Sequence, residues 1–326
     1  MNKKELTKEE VKNIFKEKTG RKVESVDLVQ VSGDNLLYKV SSGSDNFAVR
    51  FGKRGNKEDV GFETVLLKHL ESKNILAPIV VLTNQSEDVW EYKGYVSVIF
   101  EWIDGIHVNL DVGISPSFEQ LYSAGRALAY FHNANLSFDT TVYRKRTIYT
   151  EFERFLSEKD FVTQFFSNGP EIMKWAEELI EFTQNNSEKQ IVIHNDFRHH
   201  NVFYDSRNNN EVKAIIDFDW ACTGPAIKDL ALALVEWSFP DGDNKHNDNA
   251  LKTLLKGYSD NISSDLQLNI KDLSKWIQFA CLSDAATHWC DSIIPFAKKD
   301  NCVEDRLKSY MLGKAKYFRD NLIDYD

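Results

Sequence analysis

The sequence has few cysteines, and they form no pattern. Only four occur in 326 residues, and no two of them have the Cys-x-x-Cys spacing of a zinc or redox motif. We therefore expect reduced thiols rather than a disulfide framework or a cysteine-based zinc site. The four are Cys222, Cys281, Cys290 and Cys302.

Long apolar runs are also missing. No stretch approaches the roughly 18 apolar residues that a membrane span needs, and the opening residues MNKKELTKEEVKN lack the apolar core of a signal peptide. The chain has no internal repeat and no low-complexity segment. We expect a cytoplasmic protein that does not engage a membrane, and nothing in the sequence indicates its oligomeric state.

Positive charge is in deficit, with 40 Lys and Arg against 50 Asp and Glu, a formal charge of −10. This balance disfavours a nucleic-acid backbone as the partner and suits a cationic or neutral small molecule, although acidity also serves solubility. No Gly-x-Gly-x-x-Gly follows a strand pattern, so a dinucleotide site is not indicated. The segment FGKRGNK (51–57) lacks the spacing of a phosphate-binding P-loop and is interpreted as a solvated turn.

The local patterns predict two domains and an α+β fold. Residues 1–103 are predicted to form an antiparallel β lobe with one embedded helix, and residues 104–326 a mainly helical lobe. Thr7 and Glu10 form a capping-box pattern for a first helix that Gly20 would end. Strands are predicted over 22–31, 35–40, 46–51, 80–84 and 95–100, with a helix over 58–73. Beyond residue 105, strand patterns occur only near 191–193, 201–205 and 212–218.

A dense polar stretch, HNDFRHHNVFYD (194–205), lies between two of these short strands. Asp196 and Asn201 are five residues apart, and Asp217 follows in the apolar segment AIIDFDW. Phosphoryl transfer needs one carboxylate to orient the attacking hydroxyl, and further oxygen ligands to hold magnesium on the phosphates. These three side chains supply that set. A turn or capping role remains the alternative for any single aspartate.

A histidine-based zinc site is the other interpretation of this stretch. It would use His194, His199 and His200, but adjacent histidines in an extended loop are expected to point apart. No Cys or Glu stands at ligand spacing. We therefore expect His194 to be structural.

Several motifs together resemble the aminoglycoside phosphotransferase, choline kinase and homoserine kinase superfamily, whose members are protein-kinase-like small-molecule kinases. The strongest resemblance is HNDFRHHNVFYD followed by IIDFDWACTGPAIKDLALAL. SGDNLLYKV resembles the turn that covers the nucleotide, VIFEWIDG the hinge segment, and GRALAYFHN a helix of the helical lobe. The resemblance implies a bilobal protein-kinase-like fold that binds ATP, or alternatively GTP, together with Mg²⁺.

The resemblance also implies roles for individual residues. Asp196 would be the catalytic base, Asn201 and Asp217 the magnesium ligands, and Asp229 a support for the catalytic loop. Asp219 would assist the metal or the substrate, or cap a turn. The nucleotide would meet Gly33, Asn35, Glu101, Trp102 and Ile103.

Two arginines depart from the family pattern. Arg198 stands two residues after the presumed base, where it would neutralise the transferring phosphate or position the substrate, unless it is a surface arginine. Arg50 replaces the usual lysine on a strand whose alternation places it opposite Phe47, Val49 and Phe51. Glu63 would be its carboxylate partner, unless both side chains are solvated.

The acceptor is expected to be a small molecule with a hydroxyl group. Asp217 is followed almost at once by the next helix, which leaves no room for the long activation loop of a protein kinase. Acidic residues of the helical lobe suit an amine-bearing alcohol of the aminoglycoside, choline/ethanolamine or homoserine type, unless they are ordinary helix surface. The substrate candidates are Asp219, Glu236, Asp284 and Trp289. A Ser/Thr protein kinase and a non-catalytic nucleotide-binding protein are the alternative functions.

Overall fold

The computed structural model describes residues 6–31, 35–52, 56–108, 115–139, 144–239, 246–266, 268–299 and 305–321. The chain divides into two compact units. The first comprises Met1–His107, Ser137–Lys145 and Val202–Asp219, and the second comprises Val108–Leu136, Arg146–Asn201 and Trp220–Asp326. The first continuous stretch thus ends four residues beyond the predicted boundary, and two later segments join the same unit.

The first unit is built on an antiparallel sheet with the strand order β1-β2-β3-β5-β4. Helices α1 and α2 accompany the sheet, and β7 and β8 form a separate antiparallel pair. Their bounds are α1 Lys8–Thr19, β1 Ser25–Val31, β2 Asn35–Ser42, β3 Asp45–Gly52, α2 Lys57–Ser72, β4 Trp90–Tyr92, β5 Tyr95–Glu101, β7 Val202–Tyr204 and β8 Val212–Ile215.

Helix α1 begins and ends where the sequence predicts. The Thr7 side chain accepts a hydrogen bond from the Glu10 N–H, and the Glu10 carboxylate accepts one from the Thr7 N–H at 2.7 Å. These two bonds satisfy backbone donors that the first helical turn leaves unpaired. Gly20 ends the helix in the left-handed conformation, with a φ of 70°.

Strand β3 has the predicted alternation. Phe47, Val49 and Phe51 are buried in the apolar core of this unit, and Arg50 projects from the opposite face of the strand. The strand predicted over 80–84 is wrong in extent, since only Val80 forms an isolated bridge to the sheet.

The second unit is mainly helical, with one short antiparallel pair between β6 and β9. No helix in the described part of the chain is long and apolar enough to cross a membrane. The bounds are α3 Phe118–Asn135, α4 Thr150–Leu156, α5 Lys159–Phe165, α6 Gly169–Gln184, β6 Gln190–Ile193, β9 Cys222–Pro225, α7 Ala226–Ser238, α8 Asp248–Ser259, α9 Leu273–His288, α10 Ile294–Lys299 and α11 Tyr310–Asp320.

Helix α7 is the centre of this unit, because every one of its residues is buried. Most are Ala, Leu, Ile or Val, but Lys228, Asp229 and Glu236 are buried among them. Charged groups are rarely buried without partners, so these three positions indicate where polar interactions concentrate.

Helices α3 and α8 approach closely at two glycines. A Cβ on Gly125 would lie 2.1 Å from the Leu254 carbonyl oxygen, and one on Gly257 would lie 2.1 Å from that of Tyr122. Neither position has space for a side chain. This contact fixes α3, whose C-terminal part supports the loop described next.

Candidate active site

The loop that follows β6 and begins at His194 is anchored by Asp229, which lies in the first turn of α7. One Asp229 oxygen accepts the backbone N–H of His194 and the other that of Asn195, both at 2.8 Å. His132 Nε2 lies 3.0 Å from the same carboxylate, and His132 Nδ1 lies 2.8 Å from the Tyr258 hydroxyl. All these side chains are buried, so the loop backbone is anchored to three helices.

Hydrogen bonding keeps the Asp229 carboxylate ionised. Burial alone would raise its pKa, but the hydrogen bond from His132 and the positive charges near it outweigh burial and hold the pKa below its usual value. An ionised acceptor makes the two bonds to the loop backbone stronger than neutral ones would be.

Asn195 is in the left-handed region, with a φ of 64°. Its Nδ2 donates to the Trp220 carbonyl oxygen at 3.2 Å, and its Oδ1 accepts from the Lys228 ammonium. These contacts offset a backbone conformation that costs about 1 kcal/mol or more for a non-glycine residue. The turn presents the next residue, Asp196, to a cavity in the second unit.

Asp196 is braced by its neighbours in the loop. Its backbone N–H donates to His194 Nδ1 at 3.3 Å. The Asn201 Nδ2 donates to both the Asp196 carbonyl oxygen and its Oδ2, at 2.9 and 3.0 Å. The five-residue spacing from Asp196 to Asn201 therefore produces a direct contact.

These contacts leave oxygen atoms suited to a hard cation. Because the Asn201 amide nitrogen bonds Asp196, its Oδ1 is the atom available as a ligand. Asp217 belongs to the first unit and has a left-handed backbone with a φ of 65°. Amide and carboxylate oxygens are the ligands that Mg²⁺ accepts. Each side chain, taken by itself, therefore offers an oxygen of a kind that a magnesium ion accepts.

The histidines of the loop do not resemble a zinc site. The expectation that His199 and His200 point apart is wrong, because a short 3-10 turn brings their Nε2 atoms to 3.1 Å and their ring centroids to 3.8 Å. The described residues contain no cluster of three or more His, Cys, Asp or Glu that could hold a metal ion.

Arg198 is at the centre of an acidic cluster and is not a surface arginine. Its Nε donates to Asp196 and its Nη2 to Asp284, while its Nη1 lies 3.6 Å from Glu236. Burial lowers the pKa of the guanidinium, but the three carboxylates outweigh burial and hold it well above the usual value. The arginine therefore remains charged beside Asp196. Lys314 lies 3.6 Å from the other oxygen of Glu236.

The cavity that Asp196 lines has a volume of about 240 Å³ and is formed by the second unit alone. Residues of α4, α7 and α9 contribute to its wall. The polar and charged residues lining it are Arg146, Thr147, Glu151, Asn195, Asp196, Arg198, Lys228, Ser283, Asp284, Thr287 and His288. Asp196, Arg198 and Asp284 were predicted from the sequence, whereas Lys228, Arg146 and Glu151 were not.

The other substrate candidates, Trp289, Glu236 and Asp219, do not line this cavity. Trp289 is completely buried and donates its indole N–H to the Lys308 carbonyl oxygen at 2.9 Å, so it is a core residue rather than part of the cavity wall. Glu236 is buried behind Arg198. Asp219 lies in the first unit, where it accepts hydrogen bonds from Arg50 at 2.9 Å and Asn35 at 3.0 Å.

In the first unit the structure brings four of the predicted residues together. Arg50 forms a bidentate pair with Glu63, with Nη1 to Oε1 at 2.9 Å, and its second partner is Asp219. Burial lowers the pKa of Arg50, but these carboxylates outweigh burial and raise it above the usual value. Asn35 joins the group through Asp219. The alternative that Arg50 and Glu63 are solvated is wrong, because both side chains are buried.

The hinge segment continues from β5. The Glu101 N–H donates to the Ile79 carbonyl oxygen at 2.9 Å and the Trp102 N–H to that of Asn46 at 3.0 Å. The Ile103 N–H has no partner among the described residues. Gly33, predicted to contact the nucleotide, lies outside the described residues.

A family profile described as "phosphotransferase enzyme family" matches residues 27–264 of the chain. Homoserine kinase of Brucella anthropi is 27% identical over 237 residues, covering 70% of this chain and 67% of the relative. Homoserine kinase of Zymomonas mobilis is 27% identical over 230 residues, covering 69% and 68%.

Solved structures show the same fold. Spectinomycin phosphotransferase in complex with ADP and spectinomycin has a TM-score of 0.67 at 13% identity, covering 99% of this chain and 97% of that one. Amicoumacin kinase with AMP-PNP, Ca²⁺ and amicoumacin has a TM-score of 0.71 at 13% identity, covering 97% and 92%. The predicted α+β, protein-kinase-like fold class is confirmed.

Proposed function

Since the chain belongs to the phosphotransferase enzyme family and is a kinase with a hydroxyl acceptor, we propose that it transfers the γ-phosphate of ATP to a small molecule. Asp196 carries this proposal, because it is a carboxylate that lines a cavity beside the fixed guanidinium of Arg198. The amine-bearing acceptors expected from the sequence, of the aminoglycoside, choline/ethanolamine or homoserine type, belong to this class.

In the proposed reaction, the Asp196 carboxylate accepts the proton of the acceptor hydroxyl while the hydroxyl oxygen attacks the γ-phosphorus. The bond to the β-phosphate oxygen breaks, and ADP leaves. Asn201 holds Asp196 in place through two hydrogen bonds, and Asp229 fixes the loop backbone. Positioning of this kind supplies most of the acceleration in phosphoryl transfer.

Arg198 is proposed to supply a positive charge at the site of phosphoryl transfer. Its guanidinium lies beside the base and stays protonated, so it would neutralise charge on the transferring phosphoryl group or fix the acceptor. Its contacts with Asp284 and Glu236 hold it in place.

Asn201 and Asp217 are the proposed ligands of Mg²⁺, and the amide and carboxylate oxygens suit that ion. When bound, the ion would neutralise the phosphate oxygens. The family resemblance and the spacing between these two residues support this assignment.

For the nucleotide, we propose Arg50 as the phosphate-facing cation, oriented by Glu63 and Asp219. The adenine would meet the backbone of Glu101, Trp102 and Ile103. Because the Glu101 and Trp102 N–H groups already have partners, the Ile103 N–H is the proposed donor. Asn35 and Gly33 would cover the phosphates.

The test is a coupled assay of nucleotide consumption with purified protein, Mg²⁺, and ATP or GTP. Each nucleotide is paired in turn with aminoglycosides, choline, ethanolamine, homoserine or sugars. We expect acceptor-dependent formation of a phosphate ester. Labelled phosphate appearing in protein would favour a protein kinase instead, and nucleotide binding without turnover on any acceptor would favour a non-catalytic protein.

A further inference from the structure

The cavity beside Asp196 contains one cation that has no carboxylate partner. Lys228 lines the cavity, is only 3% exposed, and donates to the Asn195 Oδ1. None of the carboxylates in the described ranges forms an ion pair with its ammonium group. A buried ammonium with a single neutral acceptor is costly, since burial favours the uncharged form.

Every other charge in the cavity wall is paired. The Arg146 Nη1 lies 2.9 Å from Glu151 Oε1, and Glu151 also pairs with Arg154. The remaining two carboxylates, Asp196 and Asp284, share the Arg198 guanidinium described above. The three cations and three carboxylates of the wall balance in number, but the Lys228 ammonium is the one charge of this wall without a direct ion-pair partner among the described residues.

Lys228 lies at an unfavourable position for a cation within its helix. It is the third residue of α7, a helix of 13 residues, where the N-terminal end of the helix dipole disfavours a cation. Both oxygens of the neighbouring Asp229 are already engaged by His132 and the loop backbone. Because that carboxylate is engaged elsewhere, an incoming anion would be attracted by the Lys228 ammonium.

We propose that Lys228 binds an anionic group of the acceptor, so that the molecule phosphorylated is a small hydroxylated carboxylate. This inference depends on the proposed function, because it assumes that the cavity holds the acceptor. Lys228 and Asp196 line the same cavity, so one molecule would present its carboxylate to the first and its hydroxyl to the second. The cavity volume of about 240 Å³ is below the usual range of drug-sized ligand pockets and suits a small acceptor.

The test compares acceptor pairs that differ by a single carboxylate. L-Homoserine is paired with 3-amino-1-propanol, and L-serine with ethanolamine. Binding is measured by isothermal titration calorimetry on the full chain with Mg²⁺ and a non-hydrolysable ATP analogue. We expect the carboxylate-bearing member of at least one pair to bind at least about tenfold more tightly, as a charge-assisted contact requires.

Substitutions at Lys228 then test whether this residue causes the preference for a carboxylate. Lys228→Met should abolish the preference and Lys228→Arg should keep part of it. The control is Lys174→Met, which removes an exposed lysine of the same unit, with a 78% exposed side chain, and should leave the preference unchanged. Equal binding within both pairs, or a preference that survives Lys228→Met, would overturn the inference. The wild-type comparison decides the matter even if Lys228→Met fails to fold.

Turnover separates this inference from the proposed function. Transfer to aminoglycosides or choline, with no preference for a carboxylate, would contradict the carboxylate inference alone. Tight, Lys228-dependent binding of the carboxylates with no phosphoryl transfer to any acceptor would contradict the proposed function alone.

Discussion

The buried pair between Arg50 and Glu63 gives the sharpest prediction about stability. Their side chains are 11% and 4% exposed, and Glu63→Gln removes one charge at nearly constant volume. Removing one partner of a buried ion pair costs about 3–5 kcal/mol. Because Asp219 remains 2.9 Å from Arg50, we expect the lower end, about 3 kcal/mol. For a unit of this size that corresponds to a fall in Tm of about 12 °C, at roughly 4 °C per kcal/mol.

Differential scanning calorimetry of the full chain measures this effect. The matched control is Asp27→Asn, which breaks an ion pair with Lys8 in the same unit, where both side chains are 62% exposed. Exposed pairs contribute little, so the control should leave the Tm unchanged. The reasoning would be refuted if the two substitutions lowered the Tm equally. Glu63→Gln should also weaken binding of a fluorescent ATP analogue, because the guanidinium loses its bidentate partner.

Further predictions concern the loop, the helix contact and the cavity lysine. Arg198→Ala should lower kcat at least about 100-fold in steady-state kinetics, and a loss of only a few-fold would end its catalytic role. Gly125→Ala should reduce the free energy of unfolding in urea by about 2 kcal/mol or more, since the Cβ would meet the Leu254 carbonyl oxygen. A Cβ on Gly61 would meet no atom within 4 Å, so Gly61→Ala should leave the free energy of unfolding unchanged or raise it. Similar losses of stability at both glycines would contradict the steric explanation. Burial lowers the pKa of Lys228 in the folded protein below its ordinary value of 10.5. Between these two pKa values the unfolded chain binds more protons than the folded protein, so the free energy of unfolding rises with pH. In Tm measurements from pH 7 to 10, Lys228→Met should show a smaller rise than the wild type, because only the contribution of Lys314, whose pKa burial also lowers, remains, and parallel profiles would contradict this.

Local sequence patterns predicted most of the elements of the first unit. The capping box at Thr7 and the alternation around Arg50 depend only on neighbouring residues, and both are confirmed. The segment 80–84 has the composition of a strand, yet only Val80 pairs with the sheet. Conversely, β9 at Cys222–Pro225 contains turn-forming residues and pairs with β6, a contact that local propensity cannot reveal.

In the candidate site, too, local features were predicted from the sequence, whereas contacts between distant segments were not. The spacing from Asp196 to Asn201 is a local feature that the sequence shows directly, and in the structure the two side chains are in contact. The cavity wall combines residues from α4, α7 and α9, which are far apart in sequence, so Glu151 and Lys228 were not predicted. A lysine within the apolar run AIKDLALAL was the available signal, because a charge inside a buried helix needs a partner.

The central claim is that Asp196 is the base of a phosphoryl transfer. The direct measurement is kcat for Asp196→Asn and Asp196→Ala with the best acceptor, alongside the affinity of each variant for ADP and Mg²⁺. General-base catalysis contributes about 10²- to 10⁴-fold, so we expect losses of that size or larger, with ADP affinity changed only a few-fold. Near-normal turnover in both variants would contradict the mechanism.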